Sequence, residues 1–260
     1  MTLKFSASTH RYWLDSKPIP GVTTLIGRGL PKPAIPYWAA KSVAEFVADH
    51  PEGVEAFRAT GRGPMVAALK EIPWQRRDDA AVRGTHVHAL AERIIHGQAV
   101  DVPEHLTGHV EGYVRWLDLF QIEALHTECA VANRASWYAG TFDAVIRFGA
   151  GPWAGRVVLA DWKTSSGVYG ETGLQTAAYA RAEFMAPGPD DEVPLPPIDA
   201  TGVLHITDSG ARFHPLAHTP ETIDAAFKVF AHVAWVASKV EWIKGLVGDP
   251  LPEPESETAA

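Results

Sequence analysis

Apolar positions recur along this chain with two periods, and the changes from one to the other divide it into elements. Trp38, Val43, Phe46 and Val47 return at helical spacing, which predicts a helix from about Ile35, with Pro36 suited to its first turn. Residues 51–72 predict two shorter helices broken at Gly61–Pro64. A further helix is expected over 78–97, stopped by Gly97. Another is expected over 103–121, with Val110, Val114, Leu117 and Phe120 as its apolar face. Residues 173–186 read as helix, and Pro220 opens a long one that runs to about Gly245. The shorter period marks strands. Residues 3–13 alternate and predict a strand that turns through LDSKP into a helix start at IPGVTTLI. Strands follow over 124–134, 137–149 and 155–165, the last two joined by the glycine-rich loop GAGPWAG. Residues 200–216 predict a hairpin turning at Asp208–Gly210. The proline-rich acidic stretch 187–197 reads as an exposed loop, and residues 249–260 have the composition of a disordered tail.

Helices, then antiparallel strands, then helix, hairpin and helix make an α/β (α+β) organisation. The βαβ alternation of a dinucleotide-binding domain is missing, as is a glycine-rich phosphate loop. With 260 residues and 46% apolar content, the chain can build one large core. We expect a single domain over 1–248, with a hairpin and helical region at 1–77, the chemical motifs at 78–183, and a hairpin and helix at 198–247. A net charge of −8 does not advertise nucleic acid, but where the charge sits decides binding. Cys129, the one cysteine, excludes an intrachain disulfide, a thiolate zinc site and an iron–sulfur cluster. Neither a signal-peptide apolar region nor a membrane-length apolar run is seen, so a cytoplasmic protein without a membrane partner is expected.

Four segments carry reactive groups. GTHVHALAE places His88 and Glu92 four apart on one helical face, and this alone could be surface decoration. In YAGTFDAVIRF, Phe142, Ala144 and Ile146 should share one strand face and Asp143, Val145 and Arg147 the other. A mid-sheet carboxylate is costly unless paired or bound to a cation, so Asp143 needs a partner. In LADWKTSSG, Asp161 and Lys163 leave one face of a strand, which allows a structural ion pair or a metal-and-lysine catalytic pair. Asp143 and Asp161 lie on strands joined by a short hairpin. Brought together, they repel unless a divalent cation sits between them, and Mg²⁺ accepts such hard oxygen ligands. Gln175 and Tyr179 share a helix face in GLQTAAYAR, as they would in any amphipathic helix.

In order and spacing, GTHVHALAE, GTFDAV, LADWKTSS and LQTAAYA resemble the RecB-like branch of the PD-(D/E)XK nuclease superfamily. HRYWLDSKPIPGVTTLIGRGLPKPAIPYWAAKSVAEF resembles the leader of its phage-type members. The resemblance covers roughly residues 9–183. It implies a restriction-endonuclease-like core, a central mixed sheet flanked by helices, with an N-terminal hairpin and a C-terminal helix. It implies His88, Asp143, Asp161 and the backbone carbonyl of Trp162 as metal ligands, with Asp143, Asp161 and Lys163 catalytic. Gln175 and Tyr179 would support the site and the DNA backbone. Glu128 matches a frequent upstream acidic position, Thr164 and Ser165 are further candidates for the DNA backbone, and His86 matches no required position. Branch members with an iron–sulfur cluster hold it with four cysteines, so this chain is similar to the cluster-free exonucleases, which include the mitochondrial genome maintenance exonuclease.

The implied reaction is hydrolysis of DNA phosphodiesters with one or two Mg²⁺ or Mn²⁺ ions, from ends with single-stranded character, in recombination, repair or processing. A phage recombinase or single-strand-binding protein would be a fitting partner. Lys41, Arg76, Arg77 and Arg83 are candidates for a basic path, and tryptophans for stacking on bases. The alternatives are a recombination accessory protein with a weak or inactive site, a structure-specific endonuclease, and a different metal hydrolase centred on the histidine-rich helix.

Overall fold

The structure, a computed structural model, describes residues 3–6, 9, 11–188 and 191–251. Strands β1 (Leu3–Ser6), β2 (Arg11–Leu14) and β3 (Lys17–Ile19) form a small antiparallel sheet. Asp15 and Ser16 both take left-handed φ values, 51° and 64°, as a tight two-residue hairpin requires. Residues 7, 8 and 10 of the expected first strand, and 252–260 of the expected tail, lie outside the described residues.

Helices α1 (Val22–Gly29), α2 (Ala34–Asp49) and α3 (Pro51–Ala59) lead into α4 (Arg62–Ile95). The expected break reduces to Thr60–Gly61, where Gly61 takes φ 93°. Beyond it the two expected helices are one, 34 residues and about 50 Å long. Pro73 lies inside α4 and forfeits one backbone hydrogen bond, but Ile72 and Pro73 are buried, and that packing holds the turn. The expected division at 77/78 therefore falls within one helix.

Helix α5 (Thr107–Phe120) meets its expected face in part. Leu117 and Phe120 pack against the core, but His109, Tyr113 and Trp116 are its buried residues and Val114 is exposed. The ring side chains at i, i+4 and i+7 bury more surface than the valines, and they take the core-facing position. Trp116 sits 6.0 Å from Trp162 and 5.9 Å from Phe148, ring centre to ring centre.

The chain then forms β4 (Ile122–Asn133), β5 (Tyr138–Phe148), β6 (Val157–Lys163), α6 (Glu171–Ala180), β7 (Phe184–Ala186), β8 (Ala200–Thr207), β9 (Gly210–Ala217) and α7 (Pro220–Lys244). Residues 184–186, expected as helix, instead pair with the edge of β4. The sheet runs β7-β4-β5-β6-β8-β9 and is antiparallel except between β6 and β8. It is a mixed sheet flanked by helices, and the chain is of the α/β class. Val22, Phe142, Leu159 and Phe230 pack α1, α6 and α7 on one face. Val87, Trp116, Ile146 and Leu204 pack α4 and α5 on the other. Leu3, Leu14 and Ile19 tie the small sheet to Ala132 and Phe184. No helix among the described residues is long and apolar enough to cross a membrane.

Gly140 of β5 carries the ring of Tyr179, because a Cβ there would lie 2.3 Å from a Tyr179 ring carbon. Gly140→Ala should displace the tyrosine and cost about 1–3 kcal/mol. An unchanged urea midpoint would refute this contact.

Candidate active site

The site forms where the β5–β6 ladder stops. Pairing runs from Arg147↔Val157 to Ala144↔Ala160, and beyond it a side chain replaces the ladder: Asp143 Oδ2 accepts the Trp162 N–H at 2.5 Å. The alternation expected for β5 also breaks here. Phe142 packs with α1, α6 and α7, whereas Ala144 and Ile146 pack with α4 and α5. On the other side of β5, the pairs Thr127↔Ala144 and Cys129↔Phe142 place Glu128 opposite Asp143. Glu128 takes φ 44°, a left-handed conformation inside a strand that a non-glycine residue adopts at a cost.

Helix α4 supplies His88. Its Nδ1 lies 3.5 Å from Asp143 Oδ1. One ligand atom each from His88, Glu128 and Asp143 fall within 4.8 Å of one another. A cleft of about 530 Å³ opens over them, lined also by Gly84, Thr85 and Glu92. Glu92 accepts the Thr127 hydroxyl at 2.7 Å and lies 3.3 Å from His96, so it braces β4 beside Glu128. His86 is exposed, as its lack of a matching position implied.

Asp161 answers from the opposite side of the sheet. Lys163 Nζ lies 2.5 Å from Asp161 Oδ2, and Gln175 Nε2 donates to Asp161 Oδ1 at 2.9 Å. Gln175 Nε2 also donates to the Tyr179 hydroxyl at 3.3 Å. Asp161 Oδ2 is buried, and the Lys163 ammonium is its partner.

The charges press on one another. Burial raises the Asp143 carboxyl, but His88, Lys163 and the Trp162 N–H outweigh it and hold the group below the usual carboxylate range. Burial and then the Asp143 charge push Asp161 up to about 6, against the pull of Lys163. Burial and then Asp143 push Glu128 up to about 7. Glu128 is nevertheless an exposed residue, and water weakens both effects on it. Burial pulls His88 down, but Asp143 more than reverses this and holds the imidazole above its ordinary value. Asp161 and Asp143 likewise hold Lys163 up against burial.

These residues fit a divalent cation. Two carboxylates directly across a strand pair repel, and here an imidazole adjoins them. Hard oxygens with one nitrogen suit Mg²⁺ or Mn²⁺. The composition of the cluster differs from the expected ligand set. Glu128 stands with His88 and Asp143, while Asp161 is committed to Lys163 and Gln175. Trp162 touches the site through its N–H, which donates to Asp143. Tyr179 is buried and acts through Gln175, so it does not face a DNA backbone. The Ser165 hydroxyl is spent on the Gly167 carbonyl. Thr164 packs where Gly84 leaves room on α4. Lys41 and Arg76 share Glu45, and Arg77 pairs with Asp78, so two carboxylates offset part of the charge of three of the four expected basic-path residues.

No family model matches the chain, and no curated protein matches it. Among solved structures, the crystal structure of SSO0001 is 14% identical with a TM-score of 0.27, over 52% of this chain. The match spans 57% of that chain. At that score it fixes neither fold nor function, and the geometry of the site carries the functional reading.

Gln175→Ala removes the hydrogen bond that orients Asp161. DNA hydrolysis should fall roughly 10–100-fold, the usual effect of losing such a supporting contact, with little change in melting temperature. Activity within twofold of the parent would show that Asp161 is held by Lys163 alone.

Proposed function

We propose that this chain is a divalent-metal-dependent deoxyribonuclease that hydrolyses DNA from ends with single-stranded character. The observation that carries it is the cluster of His88, Glu128 and Asp143 across the splayed end of β5, with the Asp161–Lys163 pair beside it. A structural ion pair needs one carboxylate and one cation. Here two carboxylates and an imidazole, Glu128, Asp143 and His88, converge on a cleft, an arrangement for binding a cation at a surface that substrate can reach.

His88, Glu128 and Asp143 would hold the ion, with the Asp161–Lys163 pair beside them. A bound Mg²⁺ or Mn²⁺ neutralises the carboxylates, polarises the phosphate and makes water a stronger nucleophile. The rest belongs to the chain. Asp161 keeps the Lys163 ammonium aimed at the reacting centre, where it stabilises negative charge growing on the phosphate oxygens. Water adds to phosphorus and gives up a proton to solvent, the P–O3′ bond breaks, and the leaving oxygen takes a proton from solvent. Gln175 fixes Asp161, and Tyr179 fixes Gln175. The role is one of DNA processing in recombination or repair, in a bacterial or phage setting.

The test is hydrolysis of end-labelled single- and double-stranded DNA with Mn²⁺ or Mg²⁺, beside a closed circular substrate. Cleavage of linear but not circular DNA is expected. Cutting of the circle would make the enzyme an endonuclease, and no cleavage of any substrate would remove the reading.

A further inference from the structure

A second cleft lies on the other side of the small sheet. It encloses about 740 Å³ between β2, the β3–α1 junction and α1, within the range of small-molecule sites. Arg11, Tyr12 and Trp13 line one wall, and Thr24 and Arg28 the other. Both arginines are exposed, and neither forms an ion pair among the described residues. The carboxylate that feels Arg28, Glu241, is hydrogen-bonded to Lys244 instead. In a chain of net charge −8, two unpaired guanidiniums facing one cleft are an unspent anion site. Trp13 is half-buried, and no ring or cation lies over it among the described residues, so an aromatic face is available beside them.

The cleft is tied to the reaction centre. The Tyr12 hydroxyl shares a hydrogen bond with Thr141 Oγ1 at 3.0 Å, and Thr141 is two residues before Asp143 on β5. Gly21 bridges to Ala139 on the same strand. The Glu128 charge reaches Tyr12 as well. Tyr12 thus joins the wall of this cleft to the strand that carries Asp143.

We propose that this cleft binds one nucleotide unit of a single DNA strand, its phosphate between Arg11 and Arg28 and its base on Trp13. The site rests on the nuclease reading for its substrate, and it makes the N-terminal sheet the part of the enzyme that grips the strand beside the scissile bond. The phosphate could be internal or a strand's terminal 5′-phosphate, since the guanidiniums recognise either.

The test is fluorescence anisotropy with single strands of about 12 nucleotides, a length within the usual single-strand site sizes, 5′-phosphorylated or 5′-hydroxyl, in EDTA so that nothing is cut. Arg11→Gln/Arg28→Gln should bind at least tenfold more weakly than the intact protein, with the salt slope reduced by about 1. Trp13→Leu should weaken binding independently. Among the described residues neither arginine side chain forms an ion pair or a hydrogen bond, so an unchanged melting temperature is expected of the double variant. Selective loss on the phosphorylated strand assigns the terminal phosphate, and equal loss on both assigns an internal one. Binding by the double variant within twofold of the intact protein on both strands would overturn the site, as would no binding by the intact protein. Hydrolysis of the same strands with Mn²⁺ separates the two claims. Hydrolysis with binding unchanged in the double variant removes the cleft alone. Binding lost in that variant, with no hydrolysis by the intact protein, upholds the cleft and removes the nuclease reading.

Discussion

Lys163→Ala should lower DNA hydrolysis by roughly 10²–10³-fold or more, the range for removing one preorganised charge-stabilising donor. The ammonium sits 2.5 Å from Asp161 Oδ2 and is held charged by Asp161 and Asp143. Alanine removes it from the reacting centre while leaving His88, Glu128 and Asp143 in place. The folded state should survive, and its pH dependence follows from the carboxylate left behind. Asp161 is already pushed up to about 6 by burial and Asp143, and losing Lys163 pushes it higher. Near pH 6 it takes up a proton and becomes neutral, so little stability is lost. Near pH 8 the buried charge is uncompensated, and the variant should lose up to roughly 3 kcal/mol. The measurement pairs a cleavage time course with thermal melts at both pH values. Cleavage within about tenfold of the parent would show that Lys163 only neutralises Asp161.

The contrast between Asp143 and Glu128 shows how far the sequence reaches. Asp143 stands out in an apolar strand, and its cost there demands a partner. Its neighbours Asp161 and Lys163 carry the same signal, and all three converge in the structure. Glu128 sits in IEALHTECAVAN, where polar residues are frequent, and only the family resemblance, not the polar pattern, marks it. Its place beside Asp143 comes from strand register and a φ of 44°, which no side-chain period encodes. Long-range ion pairs are hidden for a related reason. Glu45 meets Arg76 across two helices 31 positions apart, and this withdraws charge from what reads as a basic path. The α/β class follows from element order, which survives local errors. The expected face of α5 held at Leu117 and Phe120 and gave way at Val114, because valine period and aromatic size competed there and Tyr113 and Trp116 took the core. Residues 184–186 failed because three residues carry too little period to separate a strand from the end of a helix.

A divalent cation should stabilise this protein strongly at about pH 8 and hardly at all at about pH 5, because cation and protons compete for the same groups. Glu128, Asp161 and His88 all have folded-state values raised above their ordinary ones. For such groups stability is fully present below the unfolded value and is lost as pH rises through the folded one. The carboxylates therefore remove stability from the metal-free protein as pH rises from about 4 to about 7, and His88 extends the loss upward from about 6.5. Exposure of Glu128 to water reduces its share, so Asp161 and His88 carry more of the effect. Asp143 is shifted the other way, and its window lies below about pH 4, outside this range. A cation at a hundred times its dissociation constant adds about 2.7 kcal/mol to the folded state. For a domain of this size that raises the melting temperature by roughly 5–10 °C. Mn²⁺ titrations followed by differential scanning fluorimetry, with and without EDTA at each pH, isolate the term. Asp143→Asn should remove the rise at high pH, because it takes the central charge from the cluster. An equal rise at both pH values, or a full rise in Asp143→Asn, would place the cation elsewhere on the surface and leave His88, Glu128 and Asp143 as a proton-stabilised structural cluster.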